Sequence, residues 1–301
     1  MYPVMNKLAG ISRLARPVNT LICALSVLCG SIIGGKPLDY LDEAVASIGC
    51  GELPGWTVRV VFAALSASLI LAAGNTFNDV CDLSCDRINA PERPIPAGIV
   101  SPREASVFAL ILASIGISLS FPLGTTGVFV ALGAVVMLAA YDMKLKGVPL
   151  AGNIVVACLG GLAFIYGGIA GGGVVQSLIP AVFAALFHLG RELTKDAADR
   201  DGDSAAGLRT AATVWGVPLT CRLAAAVLTV LAIFTVLPVI TGYFGTVYCL
   251  IILFGVWPAL IYSVTLSLKD DSVKSLVTAS RILKADMPIG IVAVLAGFQG
   301  W

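Results

Sequence analysis

The sequence is poor in charge. Asp, Glu, Lys and Arg make up only 12% of its 301 residues, whereas soluble domains carry about 25%. Hydrophobic residues account for 58% of the chain, and the mean hydropathy is +0.95. These values exclude an ordinary soluble domain and indicate a protein of the lipid bilayer. The net charge of +1 gives no argument for a nucleic-acid partner, and nothing in the chain calls for an obligatory protein partner.

Paired cysteine spacings are also missing. The chain has eight cysteines, and none of them follows the spacing of a zinc site. Most lie in or beside apolar runs, where cysteine behaves as a small hydrophobe. We therefore expect all eight to be reduced and structural, including Cys50 in a predicted external loop, residues 37–56.

What the chain does contain is a series of long apolar runs. A helix needs roughly 20 apolar residues to cross a bilayer. The first run is not followed by a small-residue cleavage site, so we interpret it as a retained span and not as a signal peptide. We predict one all-α membrane domain, residues 1–301, with about nine spans: 18–36, 57–77, 104–121, 124–141, 150–171, 176–192, 219–241, 244–266 and 286–301.

The basic residues predict the orientation of these spans. With nine spans, seventeen of the nineteen Lys and Arg residues fall on one side, and only Lys36 and Arg59 fall on the other. Because basic residues concentrate on the cytoplasmic side, we expect a cytoplasmic N-terminus and an external C-terminus in the cell membrane. Nearly all polar residues of chemical interest then face the cytoplasm.

Two acidic motifs share one spacing. Asp79, Asp82 and Asp86 lie at positions 0, +3 and +7 where the second span ends. At about 100° per residue, these side chains fall within roughly 60° of one helix face. Asn75 and Asn78 lie within or beside that arc, so the pattern predicts one polar stripe on one helix.

The second motif follows the sixth span. Asp196, Asp199 and Asp203 repeat the 0, +3, +7 spacing. Glu192 and Lys195 take the places that the two asparagines hold in the first motif. We interpret the recurrence as an internal pseudo-repeat of residues 75–86 and 192–203.

Six carboxylates close to a membrane need a cation. A charged residue at the bilayer centre costs about 2.5–3.5 kcal/mol on insertion scales, and like charges on one helix face repel each other. Mg²⁺ relieves both costs, and it characteristically shares one or two carboxylates with substrate phosphates. The motifs therefore predict a Mg²⁺-dependent diphosphate site. Its predicted metal ligands and catalytic residues are Asp79, Asp82, Asp86, Asp196, Asp199 and Asp203.

Basic residues lie near both motifs. They fit the neutralisation of a leaving diphosphate, although any one of them is equally explained as a topology signal. Tyr141 is either a wall of the site or an interfacial aromatic residue, and we interpret His188 as a buried, hydrogen-bonded histidine. The proline-rich segment 89–98 cannot be helical throughout and is a candidate lid or wall. The basic candidates for substrate binding are Arg87, Arg93, Lys144, Lys146, Lys195 and Arg209.

These residues resemble the signatures of the UbiA family of intramembrane prenyltransferases. Residues 78–87 (NDVCDLSCDR) and 93–98 (RPIPAG) resemble the first signature, and residues 195–210 resemble the second. Residues 16–19 (RPVN) resemble the N-terminal signature. The resemblance covers nearly the whole chain.

The resemblance implies nine helices around a central cavity that is open sideways to lipid and has a polar cytoplasmic cap. It implies transfer of a prenyl group from a prenyl diphosphate to a lipophilic acceptor with bound Mg²⁺. The family's Tyr-x-x-x-Lys pattern calls for lysine at position 145, whereas lysines stand here at 144 and 146, so either one is a candidate. Further expected substrate contacts are Arg16, Asn19, Asn75, Asn78 and Tyr141.

Four activities are candidates for such a chain, and two of them fit its motifs poorly. Residues 94–98 and 195–196 look most like archaeal members that add a geranylgeranyl chain to geranylgeranylglyceryl phosphate in ether-lipid synthesis. An aromatic prenyltransferase of the same family, acting on 4-hydroxybenzoate or a naphthoate, is the first alternative. A CDP-alcohol phosphotransferase would need Asp-Gly-x-x-Ala-Arg, which residues 201–206 do not match. A transporter with an acidic ion path would carry its acids near mid-bilayer, whereas these lie at cytoplasmic helix ends.

Overall fold

The chain folds as a bundle of α-helices. The computed structural model describes residues 7–35 and 55–298, so Cys50 and nearly all of the predicted external loop lie outside the described residues, as does the end of the ninth run. Within those ranges, β structure is confined to one isolated bridge between Phe244 and Phe298. The seven described cysteines are free.

The helices are α1 Lys7–Leu14, α2 Pro17–Gly34, α3 Gly55–Cys81, α4 Leu83–Asn89, α5 Pro102–Ser118, α6 Gly124–Met143, α7 Ala151–Gly171, α8 Val174–Ala205, α9 Ala211–Trp215, α10 Val217–Phe234, α11 Leu237–Ile240, α12 Thr246–Ile251, α13 Trp257–Lys269 and α14 Val273–Gly297.

Most of the long helices are apolar enough for a bilayer. Large apolar side chains such as Phe129, Ile233 and Phe254 are exposed on the outside of the bundle, which suits a surface in contact with lipid. The segments of the described chain that are long and apolar enough to cross a membrane number seven and cover the first eight predicted runs. They are Pro17–Gly34, Gly55–Cys81, Pro102–Met143, Ala151–Gly171, Val174–Ala205, Val217–Ile240 and Thr246–Lys269.

This count differs from nine in two places. Pro102–Met143 contains two predicted runs, because α5 and α6 are separated by the 3₁₀ turn Phe121–Leu123. The ninth run lies in α14, which begins at Val273 and not at 286. This helix carries too many charges for such a segment, since Lys274, Arg281, Lys284 and Asp286 all lie before its last eleven residues.

Glycines let the central helices approach closely. A Cβ atom on Gly30 of α2 would lie 2.1 Å from the carbonyl oxygen of Phe164 in α7, and one on Gly167 would lie 2.0 Å from that of Val27. In lipid, such small residues permit the close backbone contact that holds helices together. Because α7 also packs along α8, it fixes α2 and α8 relative to each other.

The acidic motifs lie where two helices run on past their apolar stretches. α8 continues unbroken to Ala205, so the second motif forms the predicted single stripe. The first motif does not, because α3 ends at Cys81 and Asp82 takes the N-cap position of α4. The prediction of one helix is wrong at Asp82, where α3 gives way to α4 although the Asp82 side chain makes no capping hydrogen bond. The break is slight, since the Asp82 N–H still donates to the Asn78 carbonyl oxygen at 2.8 Å.

Candidate active site

One cavity of about 890 Å³ receives the ends of both acidic helices. It lies between α2, α3, α6, α7, α8 and α14. Part of its wall is apolar and includes Leu71, Leu138, Leu159 and Leu162; the rest is charged and comes from helix ends and turns. The predicted site residues that line it are Arg16, Asn19, Asn75, Asn78, Asp82, Asp86, Arg93, Tyr141, Lys146, Lys195, Asp199 and Asp203.

Arg16 ties the start of α2 to the first acidic motif. Its backbone is left-handed, with φ of 51°, a conformation that is uncommon outside glycine. Its Nη2 donates to Asp79 Oδ1 at 2.5 Å and to Asn78 Oδ1 at 3.1 Å. Asp79 is buried and Arg16 lines the cavity, so the guanidinium stands between this carboxylate and the cavity.

Asp82 and Asp86 are also paired with basic side chains. Lys146 Nζ lies 2.5 Å from Asp82 Oδ2, and Arg93 Nη1 donates to Asp86 Oδ2 at 2.7 Å. Burial raises the pKa of the Asp86 carboxyl above its usual range, although the hydrogen bond from Arg93 opposes this shift. The first motif is therefore balanced by three cations from outside its own helices.

The second motif is less neutralised. Asp196 accepts a hydrogen bond from Asn153 Nδ2 at 2.9 Å. Lys195 Nζ lies 4.0 Å from Asp199 Oδ2, and the Asp199 side chain is 50% exposed. Among the described residues, neither Asp196 nor Asp203 forms an ion pair. The carboxylates of the second motif are thus the more available to an added cation.

Several polar residues in or beside the wall were missed by sequence reasoning. Asp142 lies in the last turn of α6 and accepts a hydrogen bond from Asn78 Nδ2 at 2.8 Å. Asn153 holds Asp196 from α7, while Arg191 and Lys284 line the cavity from α8 and α14. A search for repeated aspartates passes over such single residues. Their signal is a polar group at the edge of an apolar span, which by itself points to function.

His188 lines the cavity without the expected hydrogen bond. Its Nδ1 atom is buried and has no hydrogen-bond partner among the described residues. The prediction of a hydrogen-bonded histidine is therefore wrong. Gly160 of α7 makes room for the ring, since a Cβ atom there would lie 2.2 Å from His188 Cδ2.

Five predicted site residues do not line the cavity. Arg87, Lys144 and Arg209 are exposed, and their contact with substrate stays a prediction. Asp79 and Asp196 are held by Arg16 and by Asn153, and neither aspartate lines the cavity.

The ligand set suits Mg²⁺ shared with a substrate. Within the described ranges, no three His, Cys, Asp or Glu side chains converge closely enough to hold a metal ion by themselves. Mg²⁺ is usually held by one or two carboxylates together with water and phosphate oxygens, and not by a complete protein cage. Carboxylates that face one cavity from two helices offer this partial coordination. The residues therefore fit Mg²⁺ that binds jointly with a diphosphate.

Comparison with known proteins defines the class. Residues 44–282 match the model of the UbiA prenyltransferase family, which spans most of the chain. This protein belongs to the UbiA prenyltransferase family and is a multi-pass membrane protein of all-α fold. The resemblance in the motifs is confirmed.

Within the family, the chain is similar to several individual proteins. The chain is 35% identical over 288 residues to the digeranylgeranylglyceryl phosphate synthase of Methanopyrus kandleri, with 94% of this chain and 97% of the relative covered. A solved structure of a digeranylgeranylglyceryl phosphate synthase has a TM-score of 0.73 and 27% identity, covering 97% of this chain and 99% of the other. A UbiA homolog from Archaeoglobus fulgidus bound to GPP and Mg²⁺ shares the fold, with a TM-score of 0.62, 17% identity and coverage of 95% and 99%.

Proposed function

We propose that this protein is a Mg²⁺-dependent prenyltransferase of archaeal ether-lipid synthesis. It transfers a geranylgeranyl group from geranylgeranyl diphosphate to geranylgeranylglyceryl phosphate. The observation that carries this proposal is a single cavity that receives both acidic helix ends and continues along an apolar wall. The identity of the acceptor is drawn from the name of the relatives, digeranylgeranylglyceryl phosphate synthase.

We assign the two acidic motifs to the metal-bound diphosphate. Asp82 and Asp86 approach it from one side of the cavity, and Asp199 and Asp203 approach it from the other. When bound, Mg²⁺ supplies Lewis-acid stabilisation of the negative charge that develops on the leaving diphosphate. The proposed ligands are drawn from Asp79, Asp82, Asp86, Asp196, Asp199 and Asp203.

Basic side chains complete the diphosphate site. Lys146, Arg93 and Lys195 line the cavity, and each lies within 4.0 Å of an aspartate of the motifs. Their charges stabilise the diphosphate as it leaves. Of the two candidate lysines, Lys146 is the better placed, because Lys144 is exposed and lies off the cavity wall.

The proposed reaction begins when the bond between C1 of the prenyl chain and the diphosphate oxygen breaks. The electron pair leaves with the diphosphate, and the apolar wall of the cavity excludes water from the allylic cation. The acceptor hydroxyl oxygen then bonds to C1, and its proton is released. Asn19 and Tyr141, on the cavity wall, orient the acceptor.

We also propose nine membrane crossings within one domain, residues 1–301. Support comes from α5 and α6, which are separate helices joined by a turn, so that Pro102–Met143 crosses twice. It also comes from α14, whose 25 residues span about 37 Å at 1.5 Å per residue. With basic residues inside, the N-terminus and the active site are cytoplasmic and the C-terminus is external. α4 and the proline-rich turns that follow it form the cytoplasmic cap.

An acceptor panel tests this function. Purified protein with geranylgeranyl diphosphate and Mg²⁺ is expected to prenylate geranylgeranylglyceryl phosphate. We expect no transfer above background to 4-hydroxybenzoate or a naphthoate, because neither carries an alcohol on a glyceryl phosphate. Product formation is measured by mass spectrometry. Preferential prenylation of an aromatic acceptor would refute the proposed acceptor while leaving the prenyltransferase class intact.

A further inference from the structure

One wall of the cavity carries a lysine that no carboxylate balances. Lys284 of α14 lines the cavity, and within the described residues it has no hydrogen bond or carboxylate partner. Arg191 and Arg16, both of them cations, line the same cavity. Arg191 pairs with Glu192 and Arg16 pairs with Asp79, but Lys284 has no such counter-ion, so an anion beside it would be stabilised.

Arg191 also has a hydrogen-bond donor without an acceptor. Its Nη1 donates to Glu192 Oε1 at 2.6 Å, but its buried Nε has no hydrogen-bond partner among the described residues. A buried donor without an acceptor is costly. A guanidinium presents its donors in a fixed planar fork that matches phosphate oxygens, so an oxyanion beside Arg191 would remove that cost.

These cations differ from those of the diphosphate site. Lys146 and Arg93 come from turns and pair with the first acidic motif, and Lys195 of α8 lies beside Asp199 of the second. Lys284 and Arg191 come from α14 and α8, which pack against each other, and neither pairs with an aspartate of the two motifs. Arg16 contacts Asp79 and Asn78 and is the side chain common to both regions.

We propose that Lys284 and Arg191, with Arg16 at their edge, bind a phosphate monoester carried by the acceptor. This subsite rests on the proposed function and adds to it a residue-level basis for selecting a phosphorylated acceptor. A phosphate monoester offers between one and two negative charges and three acceptor oxygens. It would hold the polar end of the acceptor at the charged part of the cavity, while its prenyl chain lies along the apolar wall.

The test measures preference for phosphate. The wild type and Lys284→Met are assayed with saturating geranylgeranyl diphosphate on geranylgeranylglyceryl phosphate and on its dephosphorylated form, geranylgeranylglycerol. We expect the wild type to favour the phosphorylated acceptor in kcat/KM, and Lys284→Met to reduce that preference about tenfold or more through KM for the acceptor. Lys284→Arg is expected to restore most of the preference, since it keeps the charge.

Controls separate the possible failures. Lys274→Met removes an exposed lysine from the same helix and is expected to keep the wild-type preference. Lys284→Gln gives the same test without a new apolar side chain, should Lys284→Met fold poorly. An unchanged preference in both Lys284 variants would overturn the subsite, and so would a rise confined to KM for geranylgeranyl diphosphate, which would assign Lys284 to the donor. Absence of transfer to either acceptor by the wild type would instead overturn the proposed function.

Discussion

Asp82→Ala and Asp199→Ala are each expected to lower kcat for prenyl transfer about 10²–10³-fold, the usual effect of removing one group that stabilises developing charge. The two residues come from different motifs, yet they line the same cavity. In the proposed mechanism, charge develops on one diphosphate held between them, so loss of either side leaves that charge under-stabilised. The rates are measured with purified protein at saturating Mg²⁺ and geranylgeranyl diphosphate.

The control is an acid outside the cavity. Glu92 is exposed in the turns after α4 and does not line the wall, so Glu92→Ala should retain wild-type activity. Asp199 is half exposed, so we expect its removal to cost little folding stability, and the folded fraction is checked by size-exclusion chromatography. Near-normal rates in both Asp82→Ala and Asp199→Ala would contradict the assignment.

Lys146→Met is expected to lower kcat/KM for geranylgeranyl diphosphate about 10- to 100-fold, as for the loss of a hydrogen bond to a charged group. Its Nζ lies 2.5 Å from Asp82 Oδ2 at the cavity wall, where we propose that it also contacts the incoming diphosphate. Steady-state kinetics with varied geranylgeranyl diphosphate measure the effect.

Lys144→Met is the matched variant, two residues away. Lys144 is exposed and lies off the wall, so we expect kinetics indistinguishable from wild type. The opposite outcome, a large loss in Lys144→Met with little change in Lys146→Met, would transfer the diphosphate contact to Lys144.

Hydropathy predicts most of the helices because a bilayer demands long apolar runs. The run 150–171 becomes α7, Ala151–Gly171, and 124–141 becomes α6, Gly124–Met143. Hydropathy does not predict where α14 begins. The N-terminal part of this helix is charged but still helical, since Ala, Leu, Lys and Arg are all good helix formers. Apolar length therefore marks the part of a helix that lies in lipid and not where the helix begins.

The acidic motifs of the site can be predicted from the sequence because their spacing repeats, whereas its single polar residues cannot. The shared spacing of Asp79 and Asp196 with their neighbours identifies both acidic motifs from sequence alone. That the motifs share a cavity depends on how α3 and α8 pack around α7, which no local pattern records. Asp142 and Lys284 are single residues far along the chain from either motif, so only the folded structure brings them to the same wall.

Binding of an uncleavable donor tests the central claim most directly. Isothermal titration of the purified protein with geranylgeranyl thiolodiphosphate is performed with Mg²⁺ and with EDTA, on wild type, Asp82→Ala and Asp199→Ala. We expect tight binding by wild type only with Mg²⁺, and binding about tenfold or more weaker in each variant, as for the loss of a charged ligand contact. Equal affinity in Mg²⁺ and EDTA, or full affinity in either variant, would contradict a metal-bound diphosphate held between the two helix ends.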